Sequence, residues 1–346
     1  MTCFKRTATT ILTGLLLVAG RSPAAAQKAI KFATLIPEGS TWMKVMAELD
    51  KELQEKTGGK VKFKMYAGGV VGDEKDVVKK IRINQFHAAG FTGIGLGEIA
   101  PEVRILDSPW LFRGNAELDH VYKAFDGEFR AALDKGGYEL LGWTELGPVH
   151  VFSKTPIEKP EDMKKCKMWV WEGDPIAQSA YKAIGVNPIP LPVVDVMSQL
   201  QTGMIDAVYG PPSVVLTMQW FTKTKFVYSV PMAQAAGAVV VSKKFLEGLA
   251  PEDRAALKEI SAKHLGRLNG LIRKENDAAL ATLKAQGLSM TGASTPEIIA
   301  KYRELGVFAR KELAGKLYTP ELLARVEKSL EEFRKKAPEG KNPKSK

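Results

Sequence analysis

The sequence predicts an α/β protein of two lobes with a helical C-terminal region that crosses them. From Ile30, short apolar runs alternate with amphipathic segments of helical period, which is the pattern of successive strand and helix units. The length of 346 residues exceeds one typical domain and favours two. Beyond Pro251 the chain becomes almost entirely helical, so we expect this region to pack against both lobes.

The first half of the chain is predicted to contain strands that are each followed by a helix. The first helix should begin at Ser40 or Thr41, which are N-capping residue types, and end at the glycines 58–59. The second should open with the acidic pair 73–74, because negative charge at a helix start is favoured by the helix dipole. Asn115 should cap a third, longer helix. The predicted strands are residues 30–34, 61–66 and 86–91.

From residue 138 onwards the chain is predicted to carry further strands and five helices. Asp174, followed by a proline, predicts a helix start, and Gly185 predicts its end. The segment 251–286 has no interior proline and predicts one unusually long helix, although Gly266 and Gly270 could break it. Other helices are predicted over 193–202 and from residues 295 and 319, and strands over 138–144, 150–153, 167–171, 205–209, 226–229 and 236–241.

The charge of the chain is concentrated at its ends. Of a formal net charge of +11, residues 1–26 carry +3 and residues 334–346 carry +5, which leaves +3 for the body. So small a balance gives no basic stripe for a phosphate backbone, and we do not expect a nucleic-acid partner. Proline, glycine and lysine dominate residues 336–346 and predict a disordered basic tail.

Residues 1–26 have the order of a secretory signal peptide. Two basic residues come first, an apolar run covers residues 8–20, and three alanines end at Ala26. The apolar run is too short to span about 30 Å of hydrocarbon as a helix. We therefore expect cleavage between Ala26 and Gln27 and a mature protein in the periplasm.

Catalytic and metal-binding motifs are missing from the sequence. It contains no H-E-x-x-H, C-x-x-C, G-x-S-x-G or phosphate-binding G-x-x-x-x-G-K-[ST] pattern, and its four histidines are far apart. The mature chain would keep a single thiol, Cys166. We therefore expect no enzymatic role, no metal and no cofactor. An enzyme on a two-lobed scaffold and a sensor or scaffold module are the alternatives.

Four stretches of the chain follow one another in an order that is typical of one protein family. They are GGVVGDEKDVVKKIRINQFHAAGF, EDMKKCKMWVWEGDP, AIGVNPIPLPVVDVMSQLQTGMIDAVYGPP and YSVPMAQAAGAVVVSKKFLEGLAPEDR. Together they resemble the substrate-binding subunits of TRAP transporters, the DctP family, over about residues 30–335. The resemblance implies a two-lobed periplasmic solute-binding fold that closes on a small solute and delivers it to a membrane permease driven by an ion gradient.

The sequence departs from this family at the residues that hold the solute. Where the family has an arginine that grips a carboxylate, in a pattern like Lys-Ile-Arg-Val, this chain has Lys167-Met168-Trp169-Val170. A tryptophan offers one N–H and an apolar face instead of a charged fork. The asparagine that often contacts solute aligns with Gly210, and the glutamate before it with Tyr209. These departures resemble a subgroup associated with a tetratricopeptide-repeat partner, whose ligands are suspected to be hydrophobic.

The predicted binding site is an aromatic, apolar cleft. Side chains alternate along a strand, so Trp169 and Trp171 share one face. On the residues alone these indoles would more often be core side chains, whereas the resemblance favours a cleft wall. Glu172 could equally be a surface charge, and His150 a structural side chain. The candidate ligand contacts are Trp169, Trp171, Tyr209, Gly210, Phe91, Thr92, Glu38, Glu172 and His150.

The resemblance also implies a division of the chain and a set of partners. Lobe I should comprise residues 29–148 with about 234–270, and lobe II residues 149–233 with about 271–335. The expected partners are a small-molecule solute, the permease subunits of a TRAP transporter and a periplasmic tetratricopeptide-repeat protein.

Overall fold

The structure, a computed structural model, describes residues 27–336. The predicted signal peptide and the predicted tail beyond Lys336 lie outside the described residues. Within residues 27–336, no helix has both the length and the apolar character that crossing a membrane requires.

The described part of the chain holds ten strands and eleven α-helices. The strands are β1 (Lys28–Thr34), β2 (Val61–Tyr66), β3 (Ala88–Thr92), β4 (Tyr138–Ser153), β5 (Trp169–Trp171), β6 (Ile189–Leu191), β7 (Ala207–Gly210), β8 (Phe226–Tyr228), β9 (Ala233–Ser242) and β10 (Ser289–Thr291). The helices are α1 (Thr41–Lys56), α2 (Glu74–Arg82), α3 (Gly93–Gly97), α4 (Asn115–Lys135), α5 (Pro175–Ile184), α6 (Val196–Thr202), α7 (Pro212–Thr217), α8 (Lys243–Glu247), α9 (Pro251–Ala285), α10 (Pro296–Leu313) and α11 (Pro320–Lys336).

Lobe I is built on a sheet with the strand order β2-β1-β3-β9-β4. β1 runs parallel to β2 and β3, whereas β9 is antiparallel to β3 and β4. Apolar side chains of α1 and α9 cover one face of this sheet, and those of α2 and α4 cover the other. Both faces are therefore buried at β3 in the middle of the sheet, whereas the edge strand β2 alternates buried Val61 and Phe63 with Lys62 and Lys64.

Lobe II is built around the second half of β4. This half pairs antiparallel with β7 and β8, and β10 lies beyond β8. The parallel pair β5-β6 joins through one bridge, between Met168 and Ala207. α5 and α10 pack on one side, with Tyr181 and Tyr302 buried between strands and helices, and α6, α7 and the end of α9 pack on the other.

β4 passes from one lobe to the other as a single strand, whereas the sequence predicts two strands at 138–144 and 150–153. The residues between them, Gly147 and Pro148 among them, are of types that normally interrupt strands. In the structure β9 pairs with β4 from Tyr138 to Val149, and the pairing register shifts at two β-bulges without ending the strand. At one of them Gly147 has φ +114°, a conformation that favours glycine.

The long helix predicted after Pro251 is confirmed. α9 has 35 residues, and Gly266 and Gly270 lie on its exposed side without interrupting it. Its first half buries Leu257 in the core of lobe I, and its last turn buries Leu283 in the core of lobe II. α9 therefore connects the cores of the two lobes.

The position of α11 differs from the predicted division of the chain. The sequence assigns residues 271–335 to lobe II, whereas Leu322, Leu323, Val326 and Leu330 of α11 are buried in the same lobe I core as α4. The spacing of apolar residues in an amphipathic helix predicts that one of its faces is buried, but it does not identify the element against which that face packs. The other lobe boundaries stay a prediction.

Smaller differences concern the ends of elements. β3 begins at residue 88 and β5 at residue 169, each two residues later than predicted, and β9 begins three residues earlier, at 233. The helix predicted over 193–202 begins with a 3₁₀ turn, Val193–Asp195, before α6. Element ends depend on partner strands and caps that local patterns define only within a few residues.

Candidate functional site

A cavity of about 140 Å³ lies where the two lobes meet; we call it the interlobe cavity. Lobe I reaches it at the end of β3 and the start of α3, and lobe II through β5, α5 and β7. Residues of β4 and the start of β9 also line it. A side cavity of about 80 Å³ adjoins it, and the two share Thr92, Leu146, Trp171, Val193 and Val214.

Trp169 belongs both to the core of lobe II and to the wall of the interlobe cavity. It is 2% exposed, and its Nε1 donates to the carbonyl oxygen of Leu191 at 3.0 Å. Its ring stacks on Tyr209, with centroids 4.8 Å apart, and meets Trp220 edge to face at 5.5 Å. Trp169 is therefore both a core side chain and a residue of the cavity wall.

Trp171 contacts the opposite lobe. Its Nε1 donates to Oδ2 of Asp73, the N-cap of α2 in lobe I, at 2.9 Å. Its backbone N–H donates to the hydroxyl of Tyr209 at 3.2 Å, and that hydroxyl is 3.4 Å from Oδ2 of Asp174. Gly210, next in β7, also lines the cavity. Four predicted contacts, Trp169, Trp171, Tyr209 and Gly210, thus lie together.

Arg104, in a 3₁₀ turn of lobe I (Pro101–Asp107), is held by two carboxylates. Its Nε donates to Oδ2 of Asp107 at 3.0 Å, and its Nη2 donates across the lobes to Oδ1 of Asp174 at 2.8 Å. Asp107 also accepts the N–H of Ala236 at 2.8 Å. Among the described residues that line the interlobe cavity, Arg104 is the only lysine, arginine or histidine.

The two carboxylates control the electrostatics of this cluster. Burial raises the pKa of Asp107 to about 6, although Arg104 opposes the shift. Burial by itself would lower the pKa of Arg104, but Asp174 and Asp107 raise it above its usual range, so the guanidinium stays charged. With both acids ionised, the cluster of Arg104, Asp107 and Asp174 has a net charge of −1. Its one cation is therefore already neutralised by the protein.

Thr92 is positioned in the cavity wall by a buried acid. Oε1 of Glu74 accepts the N–H of Thr92 at 2.8 Å, and Oε2 accepts the Thr92 hydroxyl at 2.8 Å and the N–H of Gly95 at 2.7 Å. Glu74 is 2% exposed, and burial raises the pKa of its carboxyl to about 7. This acid therefore fixes the end of β3 and the start of α3, from which lobe I lines the cavity.

Four predicted contacts do not line the interlobe cavity. Phe91 is buried in the lobe I core, because alternation along β3 turns Thr92, not Phe91, towards the cavity. His150 is buried, and its Nδ1 hydrogen-bonds the carbonyl oxygen of Tyr228 at 2.9 Å, which is a structural role. Burial lowers the pKa of His150. Glu38 and Glu172 are exposed side chains.

Five polar side chains of the cavity wall are not among the contacts that the sequence predicts. Asp174 was expected as an N-cap, and it does cap α5 through the N–H of Ile176 at 3.1 Å. Its second partner, Arg104, is 70 residues away in sequence, so no local pattern shows the pair. The spacing of Arg104 and Asp107, three residues apart, is the one available signal. The five are Arg104, Asp107, Asp174, Tyr181 and Gln234.

The described residues contain no group of three or more His, Cys, Asp or Glu side chains that could hold a metal ion.

Comparison with known proteins identifies one family. The model of bacterial extracellular solute-binding protein, family 7 (DctP), matches residues 32–310. The 2,3-diketo-L-gulonate-binding periplasmic protein YiaO of Escherichia coli is 29% identical over 244 residues, which cover 69% of this chain and 73% of that protein. The C4-dicarboxylate-binding periplasmic protein DctP of Rhodobacter capsulatus is 23% identical over 293 residues, 83% of this chain and 87% of that protein.

Solved structures have the same fold. A TRAP periplasmic solute binding protein from Pseudomonas putida F1 with bound D-glucuronate matches with a TM-score of 0.80 and 24% identity, covering 91% of this chain and 99% of that one. The sugar acid binding protein DctPAm from Advenella mimigardefordensis, in complex with galactonate, matches with a TM-score of 0.83 and 20% identity, covering 89% and 99%. The predicted two-lobed α/β fold is confirmed.

Proposed function

The chain belongs to the DctP family of bacterial extracellular solute-binding proteins, and from this premise we propose that it captures a neutral, partly apolar small molecule in the interlobe cavity. The protein is a solute-binding component of TRAP transporters, which work with a membrane permease, and its family is periplasmic. The family is one of transport proteins, so the enzyme alternative is set aside.

The state of Arg104 is the observation that carries this proposal. Charged hydrogen bonds from arginine to a carboxylate are among the strongest polar contacts in proteins, and they favour a solute most where the protein has not already balanced the charge of the arginine. Arg104 already donates to Asp107 and Asp174. A carboxylate solute would therefore face a cluster whose net charge is negative, and removing its water shell would not be compensated.

The walls of the cavity favour apolar groups. Trp169, Trp171 and Tyr209 offer aromatic faces, and Ile176 and Val149 add aliphatic surface. A volume of about 140 Å³ is close to that of dry protein cavities that hold one benzene ring. This points to a solute part of about one ring in size. The structural relatives bind sugar acids such as D-glucuronate and galactonate, so the proposal gives this chain a different ligand chemistry from theirs.

A matched pair of probes tests the charge preference. Benzamide and benzoate have nearly the same shape and differ in charge, and calorimetric titration of the purified mature protein measures both. We expect benzamide to bind at least tenfold more tightly than benzoate, and D-glucuronate and succinate to show no binding below millimolar concentration. Micromolar binding of a carboxylate, or no binding of benzamide, would contradict the proposal.

A pair of variants on one helix locates the binding of the probe. Ala177 of α5 lines the interlobe cavity, whereas its neighbour Gln178 is exposed and does not. Ala177→Phe places a ring inside the cavity and should abolish benzamide binding. Gln178→Phe adds the same ring outside and should leave the affinity unchanged. Equal effects of the two substitutions would show that benzamide binds elsewhere.

A periplasmic tetratricopeptide-repeat protein is the second partner that we propose. Its support is the resemblance of the departures at Trp169, Tyr209 and Gly210 to the subgroup that has such a partner. Affinity purification of the tagged mature protein from a periplasmic extract, followed by mass spectrometry, tests this. Recovery of permease subunits without any repeat protein would contradict it.

A further inference from the structure

Two side chains of the interlobe cavity carry buried polar atoms without a hydrogen-bond partner. The hydroxyl of Tyr181 in α5 and Oε1 of Gln234 in β9 are both buried, and neither has a partner among the described residues. Tyr181 is fully buried and Gln234 is 7% exposed. A buried polar group without a hydrogen bond costs stability, so a molecule that supplies the missing bond would stabilise the protein.

The other polar side chains of the cavity wall already have partners. Arg104, Asp107 and Asp174 bind one another, and the hydroxyl of Thr92 donates to Glu74. The indole N–H groups of Trp169 and Trp171 donate to Leu191 and Asp73, and the hydroxyl of Tyr209 contacts Trp171 and Asp174. Among the described side chains that line the interlobe cavity, Tyr181 and Gln234 are the two with a buried oxygen atom that has no hydrogen-bond partner.

Their chemistry defines what would complete them. An amide oxygen only accepts, so Gln234 Oε1 needs an O–H or N–H from its partner, whereas a tyrosine hydroxyl can donate or accept. We propose that Tyr181 and Gln234 are the polar anchors of the ligand site, and that the solute is a neutral molecule whose apolar body carries a hydroxyl, amine or amide hydrogen-bond donor. This inference rests on the proposed apolar cavity and specifies the polar group of its ligand.

A tyrosine outside the interlobe cavity provides a control for the substitution of Tyr181. Tyr138 also has a buried hydroxyl without a partner among the described residues, but it packs in the lobe I core and does not line the cavity. Removing its hydroxyl changes the same chemistry at a place that the ligand does not reach. Tyr138→Phe is therefore the matched control for Tyr181→Phe.

Two probes that differ by one hydroxyl test the inference. Toluene and benzyl alcohol share their ring, and only benzyl alcohol can donate a hydrogen bond. We expect the wild-type protein to bind benzyl alcohol at least fivefold more tightly than toluene. Tyr181→Phe and Gln234→Leu should each remove most of this preference by weakening the binding of benzyl alcohol. Tyr138→Phe should leave the preference for benzyl alcohol unchanged. The ligand-free melting temperature of the two cavity variants should be equal to that of the wild type or higher, because an unpartnered polar group is removed.

The outcomes separate this inference from the proposed function. If toluene and benzyl alcohol bind with equal affinity to the wild type and to every variant, the apolar cavity stands and the polar anchors are wrong. If neither toluene nor benzyl alcohol binds, both the proposed function and the polar anchors are wrong. A sharply lowered ligand-free melting temperature of Tyr181→Phe or Gln234→Leu would assign these groups to the fold and would also overturn the inference.

Discussion

Arg104 is the residue on which the charge balance of the interlobe cavity depends. Arg104→Met would leave Asp107 and Asp174 facing each other in an apolar setting without their cation. Breaking a buried ion cluster in this way costs about 3–5 kcal/mol, so we expect a loss of that size in the free energy of unfolding, measured with urea at pH 7.

Two further variants check this explanation. Adding Asp107→Asn and Asp174→Asn to Arg104→Met removes the uncompensated charges and should recover part of the lost stability. Lys79→Met removes an exposed pair with Asp76, whose side chains are 72% and 51% exposed, and should change the unfolding midpoint little. A small effect of Arg104→Met, similar to that of Lys79→Met, would contradict the account.

Glu74 makes the stability of the protein depend on pH. Burial raises the pKa of its carboxyl to about 7, so between its ordinary value of 4.5 and that value the folded state holds a proton that the unfolded chain has released. Stability should therefore fall as the pH rises from 4.5 to 7 and become level above, with a total contribution of about 3 kcal/mol.

The variant Glu74→Gln isolates this contribution. It lacks the titrating group, so its unfolding free energy should change less with pH than that of the wild type across this window. Asp107, whose pKa is raised to about 6, contributes a slope of the same sign to both proteins and cancels in the difference. Parallel pH profiles of the two proteins would show that Glu74 does not titrate there.

At the scale of elements, the glycines of α9 and β4 should respond to alanine in opposite directions. Gly266 and Gly270 are exposed inside α9, and an added Cβ meets nothing within 4 Å at either position. Alanine should stabilise the helix by about 0.5–1 kcal/mol at each, because glycine has more freedom to lose on folding.

At Gly147, φ is +114° and a Cβ would lie 2.3 Å from Nδ2 of Asn276. Gly147→Ala should therefore destabilise the protein by about 2–4 kcal/mol, through backbone strain and the clash with Asn276. The Asn276 side chain is buried and links α9 to β4 and α7: its Nδ2 donates to the carbonyl oxygen of Leu146 in β4 at 2.8 Å, and its Oδ1 accepts the N–H of Ser213 in α7 at 3.1 Å. Thermal melts of the three alanine variants give the comparison. A stabilised Gly147→Ala would mean that β4 tolerates a different path between the lobes.

At the scale of the whole molecule, two hydrogen bonds between side chains of the described residues join lobe I to lobe II at the interlobe cavity. Nε1 of Trp171 donates to Asp73, and Nη2 of Arg104 donates to Asp174. Lobes connected by a few crossing elements can open by hinge bending once such contacts are lost. We therefore expect the double variant Trp171→Phe, Asp174→Asn to have a larger radius of gyration than the wild type in small-angle scattering of the ligand-free protein.

The control for this experiment lies within one lobe. Lys301 of α10 pairs with Glu161, and Lys301→Met removes that contact without touching the cavity, so its radius of gyration should equal that of the wild type. If the double variant scatters like the wild type too, the two contacts do not hold the lobes together.

The sequence by itself determined those features that depend on neighbouring residues. Alternating strand and helix periods predicted the α/β class, Asp174 and Gly185 predicted the ends of α5, and the absence of proline predicted the single helix α9. The ordered motifs identified the family, and Trp169, where the resemblance implies an arginine, predicts a site with a different ligand chemistry. Capping, periodicity and turn chemistry act within a few residues, which is why they can be found in a single chain.

Only the tertiary structure decided which distant residues meet. In the folded protein Arg104 forms an ion pair with Asp174, and β4 continues through both lobes because β9 pairs with it. The helix α11 packs against α4 of lobe I instead of against lobe II. The tertiary structure also showed that Tyr181 and Gln234 share one cavity with unpartnered polar atoms. Such contacts join residues that are tens to hundreds of positions apart, and their energies depend on burial and geometry that no local pattern contains.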